Sequence, residues 1–175
     1  VEGVIFIFKN RSQTKKVRYY EHLLEELIEG KYDQMYRIAY SYVYDHEDAL
    51  DVLQDSFQKA LKSFRNTVEI DNFQAWFYKI LVRTAIDQWR VKRLRPFGLA
   101  FEETIELSHF RFDQSEFLEL KEILERTPSP ERDIIILKYF DGFTLQEIAQ
   151  ILNLNENTVK TKMYRSLVQF KHLLN

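Results

Sequence analysis

The 175-residue chain contains no cysteine, which excludes disulfides, thiolate catalysis and cysteine-ligated zinc. Glycine and proline are scarce, at 4 and 3 residues, too few to punctuate a strand-rich fold with turns. The 4 histidines, His22, His46, His109 and His172, stand apart without metal-ligand spacing, so no metal and no other cofactor is expected. No carboxylate pair, nucleophile–base pair or phosphate-binding glycine loop is visible, which argues against an enzyme. The apolar stretch Val4-Ile5-Phe6-Ile7-Phe8 is far too short to cross a bilayer. It has no basic region before it and no small-residue cleavage site after it, so neither membrane insertion nor a signal peptide is expected. The chain opens on Val1 rather than methionine, which leaves open a missing or altered start, and the role of residues 1–16 is unassigned. A cytoplasmic location is the default. Positive charge is not in surplus either: 25 basic residues face 27 acidic ones, a net charge of -2. Contact with nucleic acid must therefore come from a segregated basic patch. What is present is 45% hydrophobic residues, enough for a core, and the shortage of turn formers points to helices.

The most informative stretch is residues 144–174. Thr144 with Glu147 three positions on has the pattern of a capping box that opens a helix. Leu145, Ile148, Ala149 and Leu152 follow at helical spacing. Asn153-Leu154-Asn155 interrupts the pattern, and Asn155 is placed to cap a second helix. In that helix Val159, Met163, Leu167, Phe170 and Leu174 form one apolar stripe, with Asn157, Lys160, Thr161, Tyr164 and Arg165 off it near the N-terminal end. Two helices joined by a tight turn read as a helix-turn-helix offering its second helix to a major groove. An ordinary helical hairpin with a solvated basic face has the same pattern. On the groove reading, Arg165 suits bidentate contact with guanine, and Lys162 and Lys171 suit phosphates.

Upstream, residues 9–16 read as a loose basic segment. Leu23, Leu24, Leu27 and Ile28 mark a helix that Gly30 is expected to end. A second helix is expected over 32–44, and Asp45 is placed to cap a third that runs to Phe64. There Ala49, Leu53, Phe57, Ala60 and Phe64 share a buried stripe. Asp51, Gln54, Asp55 and Gln58 share a polar face, either simply solvated or a docking surface for a basic partner. After a loop at 65–71, Asp71 with Gln74 resembles another capping box, opening a helix over 72–93. Phe77, Ile80 and Thr84 point one way in it. Lys79, Arg83 and Arg90 line an exposed stripe interleaved with Phe73, Trp76, Tyr78 and Trp89. Cations track phosphates and aromatic faces accept unstacked bases, so the mixture suits single-stranded DNA, though some of these rings belong to the core. Pro96 and Gly98 stop the helix, and residues 96–115 read as a flexible linker. A second helical region starts near Glu116, with Phe117, Leu120 and Leu124 inward. Ser129-Pro130 signals a helix start, and that helix is expected to close at Asp141-Gly142. The fold class is thus all-α: two small helical domains, 17–95 and 116–175, joined by the linker, the second carrying the helix-turn-helix.

Together these residues resemble the extracytoplasmic-function group of bacterial sigma factors, from about Leu23 to Leu174. The carriers are Ala49-Leu50-Asp51-Val52-Leu53-Gln54-Asp55-Ser56-Phe57 and Phe73-Gln74-Ala75-Trp76-Phe77-Tyr78-Lys79-Ile80 with Asp87 and Arg90. In the second domain they are Pro128, Arg132, Asp141-Gly142-Phe143-Thr144, Glu147-Ile148-Ala149, and Thr158-Val159-Lys160-Thr161-Lys162 with Arg165. The resemblance implies that Asp51, Gln54, Asp55 and Gln58 bind core RNA polymerase. It implies that Asn66, Asp71, Asn72, Phe73, Trp76, Lys79, Arg83 and Arg90 engage the melted downstream element. The helix after Asn155, through Thr158, Lys160, Thr161, Lys162, Tyr164, Arg165 and Lys171, would read the upstream element. An anti-sigma factor, often membrane-anchored, is a further implied partner. The pattern departs at Arg83, where the family usually has Asn, and at Leu50, where it often has an acid. A stand-alone helix-turn-helix regulator with a helical sensing domain is the alternative. It gives no reason for Asp51, Gln54 and Asp55 beside Phe57, and no convergent polar set in the first domain suggests a ligand pocket.

Overall fold

The computed structural model describes residues 15–66, 69–94, 123–124, 126–140 and 142–173. The chain divides into two compact units, residues 1–92 and 93–175. Every regular element among the described residues is helical. The N-terminal apolar stretch, the expected linker, and Phe117 and Leu120 lie outside them.

In the first unit, α1 spans Lys15–Val43 without a break. The expected end at Gly30 is absent, and the helix already includes Lys15 and Lys16, which were expected to be loose. The reason lies in the apolar register. Leu24, Ile28, Met35, Ile38 and Tyr42 are all buried and keep one phase across Gly30. A helical glycine costs about 1 kcal/mol relative to alanine. Burying even one large aliphatic side chain returns about 1.5–3 kcal/mol. α1 ends where Tyr44 turns to φ 54°, its N–H still donating to Tyr40 O at 2.8 Å. Asp45 then caps α2 (His46–Ser63) as expected, its carboxylate accepting from Asp48 N at 2.9 Å.

Helix α3 is Phe73–Leu94. Its side-chain cap is Asn72 rather than the expected Asp71: Asn72 Oδ1 accepts from Ala75 N at 3.0 Å, and Asn72 O from Trp76 N at 3.0 Å. Both residue types cap well, so the sequence pattern could not separate two neighbours. Phe57 of α2 stacks on Phe77 of α3 with centroids 5.6 Å apart. Tyr78 is fully buried and its hydroxyl donates to Gln34 Oε1 at 3.0 Å, so it belongs to the core and not to the aromatic face.

In the second unit α4 is Glu131–Ile135, continued by a π-helical turn Ile136–Phe140. The cap position falls on Pro130, one residue later than expected, because the Ser129 hydroxyl is turned to Asp133 Oδ2 at 2.5 Å. Gly142, at φ +71°, reverses the chain where a side chain would be strained, and Phe143 N donates back to Leu137 O at 3.0 Å. Helix α5 (Leu145–Leu152) opens on the expected capping box: Thr144 Oγ1 accepts from Glu147 N, and Glu147 Oε2 accepts from Thr144 N. It ends at Asn153, which adopts the left-handed conformation at φ 57°, with Leu154 N donating to Ala149 O at 2.9 Å. Asn155 Oδ1 then accepts from Asn157 N at 2.9 Å and starts α6 (Glu156–Leu173). This is the helix-turn-helix, with α4 and α5 both packed against α6.

Candidate protein- and nucleic-acid-binding faces

The acidic face is built on α2. Its stripe Ala49, Val52, Leu53, Phe57 and Ala60 is buried, which turns Asp51, Gln54 and Asp55 to solvent and leaves Gln58 half-buried. Glu47 and Asp48 extend the negative charge into the first turn, where the helix dipole stabilises it. The cation one turn beyond Asp55, Lys59, reaches instead to α3, its Nζ donating to Thr84 Oγ1 at 3.0 Å. Asp51 and Asp55 therefore form no ion pair among the described residues. At the end of α1, burial first, then Tyr36 and Asp45, push the Tyr40 phenol up to about 12, so that group stays neutral.

The second face is on α3. Ala75, Phe77, Tyr78, Leu81, Val82, Thr84 and Ala85 are buried. On the opposite arc Trp76 and Lys79 are half-buried, and Arg83 and Arg90 are exposed. Arg90 reaches Asp87 across 3.7 Å, a solvated pair worth at most about 1 kcal/mol. Trp76 stacks on Phe64 at 5.6 Å and meets Phe73 at 5.4 Å, and Tyr20 stacks on both phenylalanines. Trp76 and Phe73 are thus braced from below, and the Tyr20 hydroxyl accepts from Ile70 N at 3.1 Å, tying down the loop that enters α3. Asn66, Asp71 and Asn72 are exposed around that loop, Asn66 held in a turn by Ser63 O. The loop's tether to Tyr20, 50 residues away, has no signal in the sequence.

The third face is on α6. Val159, Met163 and Ser166 are buried, and Thr158, Lys160, Thr161, Tyr164 and Arg165 are exposed together. Lys162 departs from expectation. It is half-buried, and its Nζ donates to Glu131 Oε1 of α4 at 2.6 Å rather than pointing free to solvent. Desolvation opposes ionisation of Glu131, but its hydrogen bonds, from Lys162 first, and the charges of Lys162 and Arg165 hold it below the usual carboxylate range. The sequence reading missed Glu131 and the buried Ser166, whose hydroxyl bonds Lys162 O at 3.0 Å. Lys171 lies within α6, but its side chain falls outside the described residues. Among the described residues no cluster of His, Asp or Glu could hold a metal ion, and no helix is long and apolar enough to cross a membrane.

The family description Sigma-70 region 2 matches residues 27–95, and Sigma-70, region 4 matches residues 117–170. The chain is 43% identical over 155 residues to the RNA polymerase sigma factor SigV of Bacillus subtilis (strain 168), covering 87% of this chain and 92% of that one. It is 27% identical over 147 residues to the ECF RNA polymerase sigma factor SigW of the same organism, covering 76% and 79%. Among solved structures, CnrH in complex with the cytosolic domain of CnrY matches with a TM-score of 0.65 at 21% identity, over 88% of each chain. The sigma factor RpoE in complex with the anti-sigma factor NepR from Bartonella quintana matches with a TM-score of 0.64 at 21% identity, over 88% of this chain and 97% of that one. With the fold matched by these structures and the sequence matched along both units, the chain belongs to the RNA polymerase sigma factors, in the extracytoplasmic-function group.

Proposed function

We infer that the two units divide the work of an alternative sigma factor, which binds core RNA polymerase, directs it to promoters and catalyses nothing itself. The first unit docks through Asp51, Gln54, Asp55 and Gln58 and opens the downstream element with α3 and the loop before it. The second reads the upstream element as duplex through α6. The carrying observation is the sorting of α6: Val159 and Met163 face inward, and Thr158, Lys160, Thr161, Tyr164 and Arg165 are exposed in the first turns after a capped turn. A recognition helix needs that arrangement, with polar side chains near its N-terminus free to reach base edges. On the first unit, a base flipped from the non-template strand would sit over the Tyr20–Phe64–Phe73–Trp76 support, its lost stacking offset by pocket contacts. CnrH and RpoE were each solved with a bound partner, an anti-sigma factor in the case of RpoE. An anti-sigma factor is proposed for this chain too, membrane-anchored where the inducing signal is external, and the site of action is the cytoplasm.

Run-off transcription tests the reading. Purified chain with core polymerase on fragmented genomic DNA is expected to yield discrete transcripts sharing one upstream and one downstream element. Discrete DNA binding by the chain alone, with no transcripts beyond those of core enzyme, would favour a stand-alone regulator.

A further inference from the structure

The Glu131–Lys162 pair differs in kind from the ion pairs His22–Glu26 and Asp87–Arg90. His22–Glu26 and Asp87–Arg90 lie within single helices and are well over half exposed, whereas here Lys162 retains 29% and Glu131 16% exposure, and the pair joins α4 to α6. Such a pair is costly to break on one side, because the partner left behind is a half-buried, uncompensated charge. Each end is also fixed locally. Glu131 is the first residue of α4, where the helix dipole favours a carboxylate. Lys162 lies beside the buried seam of Val159, Met163 and Ser166, and its carbonyl accepts from the Ser166 hydroxyl. Arg165, one turn on, is exposed, yet close enough for its charge to favour the ionised Glu131.

We propose that Glu131 is a positioning residue for promoter reading, acting through Lys162. Its carboxylate withdraws Lys162 from the phosphate-binding set and fixes the rotation of α6 against α4. Arg165 and its exposed neighbours are then presented to base edges in one setting. The same negative charge behind the helix weakens sequence-blind attraction to phosphates, so the pair trades affinity for selectivity. This rests on α6 being the upstream-reading helix.

The test uses holoenzyme reconstituted from core polymerase and the full-length chain. The probes are a promoter fragment selected by run-off transcription and the same fragment with its upstream element scrambled, each at several salt concentrations. Lys160→Ala, an exposed cation on the same helix, should make the salt dependence shallower by about one. If it does not, the reading of α6 fails, and this proposal with it. The double variant Glu131→Gln, Lys162→Met leaves net charge unchanged. It is expected to keep the wild-type salt slope and lose about tenfold in preference for the intact element. Glu131→Gln alone should release Lys162, steepen the slope by about one and tighten binding to the scrambled fragment. The exchange Glu131→Lys, Lys162→Glu should recover part of the preference. A slope shallower by about one in the double variant, with Glu131→Gln indistinguishable from wild type, would show Lys162 to be an ordinary phosphate contact and overturn the proposal. Should the double variant not fold, Glu131→Gln decides, since it keeps the side-chain shape: an unchanged slope overturns the inference.

Discussion

Arg165 and Lys162 sit three residues apart on one helix, are both cationic, and have different fates. Arg165 is exposed, and its planar fork suits the two acceptors of a guanine edge. Arg165→Ala is expected to cost roughly 1–3 kcal/mol and to relax preference at one base position. A panel of single-base promoter variants checks this, and uniform weakening across the panel would mean that α6 is seated differently. Lys162 is instead half of a partly buried pair whose other half titrates. Because Glu131 is held below the usual carboxylate range, its contribution to stability is fully present above the ordinary glutamate pKa and is lost as pH falls through the depressed value. Unfolding followed between neutral pH and acid should show this loss in wild type and a smaller one in Glu131→Gln. Parallel acid profiles for the two proteins would sever the pair from stability.

At the scale of the element, α1 and α2 make separate claims. Gly30 is exposed in the interior of α1, and a methyl group added there meets nothing within 4 Å. Gly30→Ala should therefore stabilise the protein by about 0.5–1 kcal/mol, read as a shift in the denaturation midpoint. A destabilised variant would mean that the helix needs a weak point at this residue. On α2, the exposed positions of Asp51 and Asp55 separate folding from docking. Asp51→Arg with Asp55→Arg is expected to leave the helix content unchanged and to set like charges against a basic partner, costing several kcal/mol of affinity. Co-purification with core polymerase measures it, and undiminished recovery would remove this face from the docking surface.

For the whole molecule, docking and melting are expected to be separable. Lys79 and Arg83 lie on the arc of α3 opposite its buried residues, on a different helix from the acidic stripe of α2. Lys79→Ala with Arg83→Ala should slow open-complex formation on duplex promoters by about tenfold or more and leave assembly with core enzyme intact. A pre-melted template should restore much of the rate, since the strands are already apart. Equal defects on both templates would assign these residues to folding or docking instead.

The all-α class, the two-part organisation and the helix-turn-helix were legible in the sequence because each has a local cause. Thr144 and Glu147 cap their own helix, Asp45 caps the next one, and the period of Ala49, Leu53, Phe57 and Ala60 sorts inside from outside without reference to other elements. The exposure of Asp51, Asp55, Lys160 and Arg165 follows from the same period. Local signals failed where two answers were nearly equal in energy or where the partner was distant in the chain. Gly30 carries a helix-ending tendency of about 1 kcal/mol, overruled by the burial of Ile28 and Met35 on either side. Asp71 and Asn72 are both competent caps, and the folded chain uses Asn72. Tyr78 belongs to the core because Gln34 waits for its hydroxyl 44 residues away. Lys162 reads as one more basic residue on a DNA-facing helix until Glu131, 31 residues earlier, is brought to 2.6 Å by the packing of α4 against α6. Periodicity and capping act over a few residues, so the sequence alone could state them. The partner of a charge or hydroxyl across tens of residues exists only once the chain has folded, and there the tertiary structure decided.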